Sequence, residues 1–498
     1  MIVACLVGVV HRAAKLLFCV LLGSACDVDA GDPLLERSDE LATARTSEVI
    51  FSPQPPGATH NLRVAEQIRD AQRSIDVAMY SFSNAAIEAA LRDAAARGVK
   101  IRLIYEGAKA DRKLDAEVRA SSQSGALEAA GIDVRYVNKI MHHKFMIVDG
   151  PRDDLERAAT AILVTGSANW SHAAATRYDE NTLFLRGHEE LALRMQSEFN
   201  LLWEHSRDFV SAAGWPHELS EVAITEHDIV DVADSHVLFT SANFEIVGDT
   251  TFTATGRSTV SDALIAAIAN ADHSIRIASG HLRDRDVAEA LMAKAWEWPD
   301  MDIRVYLDAQ EWISASTHAA QLRDLEDCRI AAADDHSAQS ECLERGYRFG
   351  TMVERAGVDV RYKWYSYRWT YIFAEQMHHK YLIIDGDELW TGSYNLSNNA
   401  EHKTMENMLV FSGPAHAQLI RAYVANFERL WATGREQGLL EQLREEIATA
   451  EQVPLRFEPM SLEWEEIRDL QALIRASCSD VNSFALLSES HAVCRDRQ

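Results

Sequence analysis

The order of apolar and polar positions repeats itself along this chain of 498 residues. One copy of the pattern starts at Ser74, where SIDVAMYSF is followed by a helical stretch and by the strand-like run KIRLIYE. The other starts at Ser274, where SIRIASGHL and DIRVYLD take the same places. In both copies a helix is predicted to begin near Asn84 or Asp284. Strands that alternate with helices predict an α/β architecture, a sheet with helices on its faces, built twice.

Each copy contains the motif His-x-Lys-x-x-x-x-Asp in a short, β-branched apolar run that suits a strand. The two motifs comprise His142, Lys144 and Asp149, and His378, Lys380 and Asp385. Residues two apart on a strand point to the same side, so each histidine and lysine can reach one phosphate. The aspartates fall on the face opposite the lysines, and local hydrogen bonds or salt bridges are favoured for them over substrate contact. The adjacent His143 and His379 also point away, and no Cys or carboxylate cluster completes a metal site with them.

A Gly-Ser-x-Asn turn and then a glutamate follow each motif. The turns run from Gly166 to Asn169 and from Gly392 to Asn395, and Glu180 and Glu406 each come eleven residues after the asparagine. Polar positions repeated in this order indicate a single active site built from two halves.

These residues resemble the signature of the phospholipase D superfamily, HxKxxxxD followed by GSxN. FSPQ and MHHKFMIVDG are similar to the bacterial nuclease and mitochondrial cardiolipin hydrolase branch, whose members usually carry one motif and dimerise. The resemblance implies two tandem phospholipase D-like domains, each a mixed β-sheet flanked by helices, related by a pseudo-two-fold axis with one active site at their interface. Because this chain carries both motifs, a monomer is expected.

The resemblance also implies a mechanism for phosphodiester cleavage. One histidine attacks phosphorus and the other protonates the leaving alcohol; the common order in the family makes His142 the nucleophile, and the reverse assignment stays open. Lys144 and Lys380 would supply positive charge, while Glu180 and Glu406 would orient the imidazoles. The side chains expected to donate hydrogen bonds to the non-bridging oxygens are Ser167, Asn169, Ser393 and Asn395. This chemistry requires no metal and no other cofactor.

The N-terminal apolar runs, interrupted by basic residues, indicate an export signal. Small residues precede Cys26, so this cysteine is expected to be lipidated and to anchor the protein to a bacterial membrane; ordinary cleavage after Ala25 would leave it periplasmic or secreted. The expected divisions are a signal at 1–25, a flexible tether at 26–46, phospholipase D-like domains at 47–212 and 213–435, and a helical C-terminal appendage at 436–498.

Four cysteines would remain if Cys26 is lipidated. They could form two local bridges in an oxidising compartment, Cys328 to Cys342 and Cys478 to Cys494, although other pairings and free thiols stay open.

An insertion in the second half carries aromatic residues at alternate positions. These residues are Tyr365, Tyr367, Trp369, Tyr371 and Phe373. The segment is interpreted either as a hairpin packed over the core or as a wall for acyl chains and a membrane-contacting lip.

The net charge of -27 opposes binding to nucleic acid, although a local cleft can still be positive. The leading hypothesis is therefore a phospholipase D that hydrolyses glycerophospholipids to phosphatidic acid and a head-group alcohol at a membrane surface. The alternative is an extracytoplasmic nuclease acting on DNA or RNA. A silent binding protein is disfavoured because both motifs are intact.

Overall fold

A computed structural model describes residues 45–210, 221–343, 345–364, 375–449 and 458–477 of the chain. Their main feature is two eight-stranded sheets, one from each copy of the sequence pattern. The first has the strand order Thr46–Ser52, Glu180–Arg186, Ile162–Gly166, Lys144–Val148, Ser74–Met79, Lys100–Tyr105, Asp133–Tyr136 and Arg207–Asp208. The second has the order Ser235–Phe239, Asn407–Ser412, Glu388–Gly392, Lys380–Ile384, Ser274–Ser279, Asp302–Asp308, Asp359–Trp364 and Met460–Glu463.

Both sheets are mixed, because three strands in each run parallel and their neighbours pair antiparallel. The matching strand orders confirm the predicted pair of α/β domains. Two short sheets complete the pairing, Phe244–Val247 with Thr251–Ala254 and Ile140–Met141 with Thr404–Met405.

Helices cover the faces of the sheets. In the first half they are His60–Asp70, Ala85–Ala96, Glu106–Asp111, Ala116–Ser121, Gln123–Ala129, His172–Thr176 and Glu189–Glu204. In the second half they are Thr259–Asn270, Arg285–Glu297, Ala315–Ala332, His336–Leu343, Gly350–Arg355, Asn398–His402, Ala417–Trp431, Leu439–Thr449 and Trp464–Ser477. As predicted, Asn84 and Asp284 cap helices, each accepting two backbone N–H groups.

Apolar side chains form one core on the outer side of each sheet and a third between the sheets. The third core combines Phe145 and Phe199 from the first half with Tyr381 and Tyr423 from the second. Burial of this shared surface holds the halves together and fixes how the motif strands face each other.

The residues after 435 were expected to form a helical appendage, and that expectation is incomplete. The described residues of this part contain two helices, but Met460–Glu463 is a strand that pairs with Asp359–Trp364 and completes the second sheet. Arg207–Asp208 occupies the corresponding edge of the first sheet. A run of four residues is too short to show a period, so the flanking helical pattern dominated the prediction.

A disulfide joins Cys328 and Cys342, as the local pairing predicted. It links the helices Ala315–Ala332 and His336–Leu343 of the second half. The bridge expected between Cys478 and Cys494, the signal, most of the tether and the aromatic positions 365–373 lie outside the described residues. Within the described ranges, no helix combines the length and hydropathy needed to cross a bilayer.

Candidate active site

The ends of the two motif strands are tied to the opposite half by backbone hydrogen bonds. The amide of His142 donates to the carbonyl of Met405 at 3.2 Å, and the amide of His378 donates to the carbonyl of Asp179 at 3.0 Å. Met405 and Asp179 each directly precede one of the glutamates. Each half therefore carries its glutamate to the motif histidine of the other half.

The side chains follow this crossed arrangement. Nδ1 of His142 lies 2.7 Å from a carboxylate oxygen of Glu406, and Nδ1 of His378 lies 2.6 Å from a carboxylate oxygen of Glu180. Both glutamates are fully buried, whereas the histidine side chains keep 10% and 18% of their exposure. Nδ1 is thus held by a carboxylate, and Nε2 of each ring is the nitrogen left for chemistry.

The Gly-Ser-x-Asn turns support the glutamates. The hydroxyl of Ser393 donates to Glu406 at 2.7 Å and accepts the amide of Asn407 at 3.0 Å. Ser167 accepts the amide of Asn181 at 2.9 Å and hydrogen-bonds Glu180. Both serines are fully buried, so the structure places them on the glutamates, while their contact with substrate stays a prediction.

Glycine is required at the start of each turn because the turn passes close to the neighbouring strand. A Cβ at Gly166 would lie 2.4 Å from the carbonyl oxygen of Asn181, and a Cβ at Gly392 would lie 2.3 Å from that of Asn407. Gly166 also has a φ of +140°, which side chains disfavour. Any larger residue would push the glutamate-bearing strand away from the turn.

The asparagines of the turns present unused acceptors. The side-chain oxygens of Asn169 and Asn395 are buried and have no hydrogen-bond partner among the described residues. His60, which the sequence analysis missed, donates to or accepts from Ser52 at 3.1 Å and lies 3.1 Å from the backbone oxygen of Asn169. It thus holds the first turn in place.

The lysines of the two motifs are almost fully buried beside the histidines. Nζ of Lys144 donates to the backbone oxygen of His142 at 2.7 Å, and Nζ of Lys380 donates to that of His378 at 2.8 Å. Each ammonium is therefore held on the side of its histidine, as the spacing of two predicted.

Burial sets the pKa values of all six groups. It lowers the pKa of His142 and of His378 well below 6.5, and the positive charges of Lys144 and Lys380 lower both further. It lowers the pKa of Lys144 to about 7 and that of Lys380 to about 8. It also raises the pKa of both partner glutamates to about 7. The two lysines and two glutamates around the imidazoles therefore exchange protons near neutral pH, as is common for groups at functional sites.

The aspartates of the motifs lie at the far ends of their strands. The carboxylate of Asp149 accepts the amides of residues 72–74, and that of Asp385 accepts the amides of residues 272–274. Burial alone would raise the pKa of Asp385, but the three amides outweigh it and lower the pKa. The predicted local hydrogen bonds are confirmed, and direct catalysis by either aspartate stays the alternative.

His143 and His379 point into the space between the sheets, as the alternation predicted. His143 contacts Asn407 at 3.0 Å and Glu198 at 3.2 Å, and His379 contacts Asn181 at 3.2 Å. The contacts with the two asparagines again cross between the halves, whereas Glu198 belongs to the same half as His143. The asparagine that follows each glutamate recurs in both copies, and that repeat could have revealed its role.

The sequence analysis also missed the acidic residue at the end of each KIRLIYE-type run. Glu106 accepts the amide of Met141 at 2.8 Å, and Asp308 accepts the amide of Met377 at 2.9 Å. Each acid therefore fixes the residue just before a motif histidine. The acid recurs at the end of both runs, so the internal repeat contained this signal.

A cavity of about 190 Å³ opens beside His142. Its lining includes Tyr80, whose ring centroid lies 4.6 Å from that of His142, and Asn395 of the second turn. His281 and Arg283, whose positions are occupied by serines in the first copy, also line it. One water needs roughly 10–15 Å³ measured in this way, so the cavity has room for a substrate group.

Three comparisons with known proteins bear on this site. A family model described as "Cardiolipin synthase, PLD-like domain" matches residues 64–203 and 264–431. The mitochondrial cardiolipin hydrolase of Danio rerio is 34% identical over 172 residues, which are 34% of this chain and 68% of that protein. In two other cardiolipin hydrolases, the matched residues cover 53% and 60% of that protein's own length. A phospholipase D of Rickettsia conorii is 32% identical over 163 residues, 32% of this chain and 71% of that protein.

A solved structure agrees with the fold. Phosphatidylserine synthase from Haemophilus influenzae Rd KW20 aligns with a TM-score of 0.50 at 12% identity, covering 80% of this chain and 91% of that one. The family match covers both motifs, both turns and most of both sheets, and the geometry joins them in one site. The chain therefore belongs to the phospholipase D-like family, as a phosphodiesterase with two family domains in tandem.

Proposed function

We propose that this phosphodiesterase hydrolyses glycerophospholipids to phosphatidic acid and a head-group alcohol. The observation that carries the proposal is the crossed pairing of His142 with Glu406 and of His378 with Glu180. Two imidazoles with free Nε2 atoms, backed by carboxylates and flanked by two ammonium groups, suit displacement at an anionic phosphorus.

The proposed mechanism has two steps. In the first, Nε2 of one histidine attacks phosphorus, the bond from phosphorus to the head-group oxygen breaks, and the other histidine protonates that oxygen. In the second, the second histidine takes a proton from water, and the resulting hydroxide displaces the phosphohistidine nitrogen. Lys144 and Lys380 offset the negative charge of the non-bridging oxygens, and Asn169 and Asn395 would donate hydrogen bonds to them from their side-chain Nδ2 groups. An alcohol in place of water would give transphosphatidylation.

Charge and relatives favour a lipid substrate over a nucleic acid. The chain has a net charge of -27, whereas nucleic-acid binding relies on a basic face. Two of the relatives are named cardiolipin hydrolase and phospholipase D, and both names refer to phospholipids. The nuclease alternative is kept as an outcome of the experiment.

We further propose an exported, monomeric protein that acts at a membrane surface. The disulfide between Cys328 and Cys342 favours an oxidising compartment. The N-terminal apolar runs support export, with Cys26 as the lipidated anchor. One chain supplies both histidines, so catalysis does not require a second copy.

Release of head groups from mixed phospholipid vesicles in EDTA tests the proposal, beside cleavage of single- and double-stranded DNA. The critical variant is His142→Asn with His378→Asn, and His227→Asn, an exposed histidine, is the matched control. Head-group release that is lost only in the double variant supports the proposal. DNA cleavage that is lost in the double variant, without lipid turnover, would replace it with a nuclease.

A further inference from the structure

The two copies of the sequence pattern differ in chemistry at one place beside the active site. Residues 80–84 of the first copy read YSFSN, and residues 280–284 of the second read GHLRD. The backbone there is equivalent, because the amides of Ser83 and Arg283 donate to Trp170 and Leu396, each just after a Gly-Ser-x-Asn turn. His281 and Arg283 thus replace two serines without changing the local fold.

A buried carboxylate, that of Glu311, holds both side chains. Nε and Nη2 of Arg283 lie 2.9 and 2.6 Å from one oxygen of Glu311, and Nδ1 of His281 lies 3.0 Å from the same oxygen. The Glu311 side chain is 1% exposed, whereas those of Arg283 and His281 keep 27% and 32%. Burial alone would raise the pKa of Glu311, but these two partners lower it to about 2, so the carboxylate stays ionised.

Nη1, the guanidinium nitrogen that does not contact Glu311, lies at the cavity wall. Gly346 also lines the cavity, and a Cβ placed on it would lie 3.7 Å from Nη1 of Arg283. Glu311 uses the other two nitrogens and fixes the plane of the guanidinium. A guanidinium that is oriented in advance binds carboxylate or phosphate with less loss of side-chain freedom.

A purely structural ion pair explains this arrangement less well. Buried ion pairs add little net stability, and a structural pair has no need to keep a quarter of the arginine exposed in a cavity. The cavity also contains His142 and Asn395, so a group bound to Arg283 would be connected to the scissile phosphodiester.

We propose that Arg283, with His281, selects phospholipids whose head group carries its own negative charge. The inference rests on the proposed lipid hydrolysis and deepens it. The polar wall formed by Ser397, Asn398 and Thr404 suits a head group better than acyl chains. Charge-assisted hydrogen bonds from the guanidinium would then distinguish a head group with a carboxylate or second phosphate from one without.

The placement of the head group also decides which histidine is the nucleophile and which is the general acid. In an in-line displacement the leaving alcohol lies opposite the nucleophile and beside the general acid. A head group in the cavity beside His142 makes His142 the acid and His378 the nucleophile. Nε2 of His378 forms the bond to phosphorus, and the leaving oxygen keeps the bonding electron pair and takes a proton from His142. This order is the reverse of the one that the family resemblance suggested.

The selectivity is tested with a substrate pair that differs by one carboxylate, dihexanoyl phosphatidylserine and dihexanoyl phosphatidylethanolamine, both as soluble monomers. The wild type is expected to have the higher kcat/KM on phosphatidylserine. In Arg283→Met combined with Glu311→Gln, which leaves no unpaired buried charge, this preference should fall roughly ten- to hundredfold, with phosphatidylethanolamine turnover retained. Arg285→Gln, which removes an arginine that is 28% exposed and paired with Glu289, is the matched control.

Each other outcome overturns the inference in a distinct way. A wild type without preference for phosphatidylserine refutes the anion site while lipid hydrolysis stands. Equal loss on both lipids in the double variant refutes selectivity. If the wild type hydrolyses neither lipid but cleaves DNA, the proposed function itself fails.

The assignment of the histidines has a separate test. A phosphatidyl ester of p-nitrophenol has a leaving group that needs no general acid. His142→Asn should therefore still release a burst of p-nitrophenol, close to one per enzyme molecule, and His378→Asn should release none. A burst from His378→Asn alone would place the head group on the other side and contradict the inference.

Discussion

Replacement of Glu406 by glutamine tests the crossed architecture most directly. Glu406 is fully buried, and its oxygens accept from Nδ1 of His142 at 2.7 Å, from Ser393 at 2.7 Å and from Thr404 at 2.8 Å. Glutamine keeps the shape of the side chain but loses its charge. Its NH₂ group also replaces one of the two acceptor oxygens, so one of the three groups that donate to Glu406 loses its acceptor.

The expected loss follows from this geometry. Removal of one partner of a buried charged pair costs roughly 3–5 kcal/mol. At about 1.4 kcal/mol per tenfold change, kcat should fall roughly 10²- to 10⁴-fold. His142 needs the imidazolium form to protonate the leaving group and regains it when it takes a proton from water, so the loss should appear in kcat rather than in KM.

Head-group release measured as kcat and KM provides the assay, with ¹⁵N NMR of labelled histidines as the structural readout. Glu406→Gln should change the ring-nitrogen shifts of His142 and leave those of His378 unchanged. Glu198→Gln is the matched control, because Glu198 is also buried and hydrogen-bonds His143 at 3.2 Å. A kcat within tenfold of the wild type, or a shift at His378 instead, would refute the crossed pairing.

The remaining predictions concern protonation and folding. Activity should fall as the pH rises through 7 to 8, where Lys144 and Lys380 lose their charges. A bound anion favours the charged amines, so the alkaline limb of the kcat profile should lie at a higher pH than that of the kcat/KM profile. Limbs that coincide would contradict this prediction. Gly392→Ala should lower both Tm and activity, because its Cβ would lie 2.3 Å from a backbone oxygen, whereas Gly57→Ala, with nothing within 4 Å, should change neither. Asp385→Ala should cost roughly 1–3 kcal/mol of stability at neutral pH with kcat retained. Because the folded pKa of Asp385 is lowered, its contribution is lost as the pH falls through that value, so urea titrations of wild type and variant should converge in acid.

Short-range patterns in the sequence were sufficient for the fold class and for most of the site. The strand-like runs, the caps at Asn84 and Asp284, and the histidine and lysine two residues apart all depend on neighbours along the chain. The structure agrees with these predictions because local backbone geometry decides which side chains share a face. The internal repeat added the glutamates, since equal spacing in both copies set them apart from solvated surface acids.

The partner of each side chain depended on contacts between residues far apart in sequence. Glu180 serves His378 and Glu406 serves His142, because the shared core between the sheets brings each glutamate-bearing strand to the opposite motif. No spacing within one copy contains that information. The sequence also did not predict the strand Met460–Glu463, because a four-residue run becomes a strand only when a sheet edge is available to it.

The sequence by itself determined which residues recur and therefore which chemistry the chain can perform. Only the tertiary structure decided that the halves exchange glutamates and that Glu311 turns Arg283 toward the cavity. The physical reason is that recurrence and local geometry are encoded between near neighbours, whereas burial of a carboxylate beside a particular donor requires the packed core of both halves.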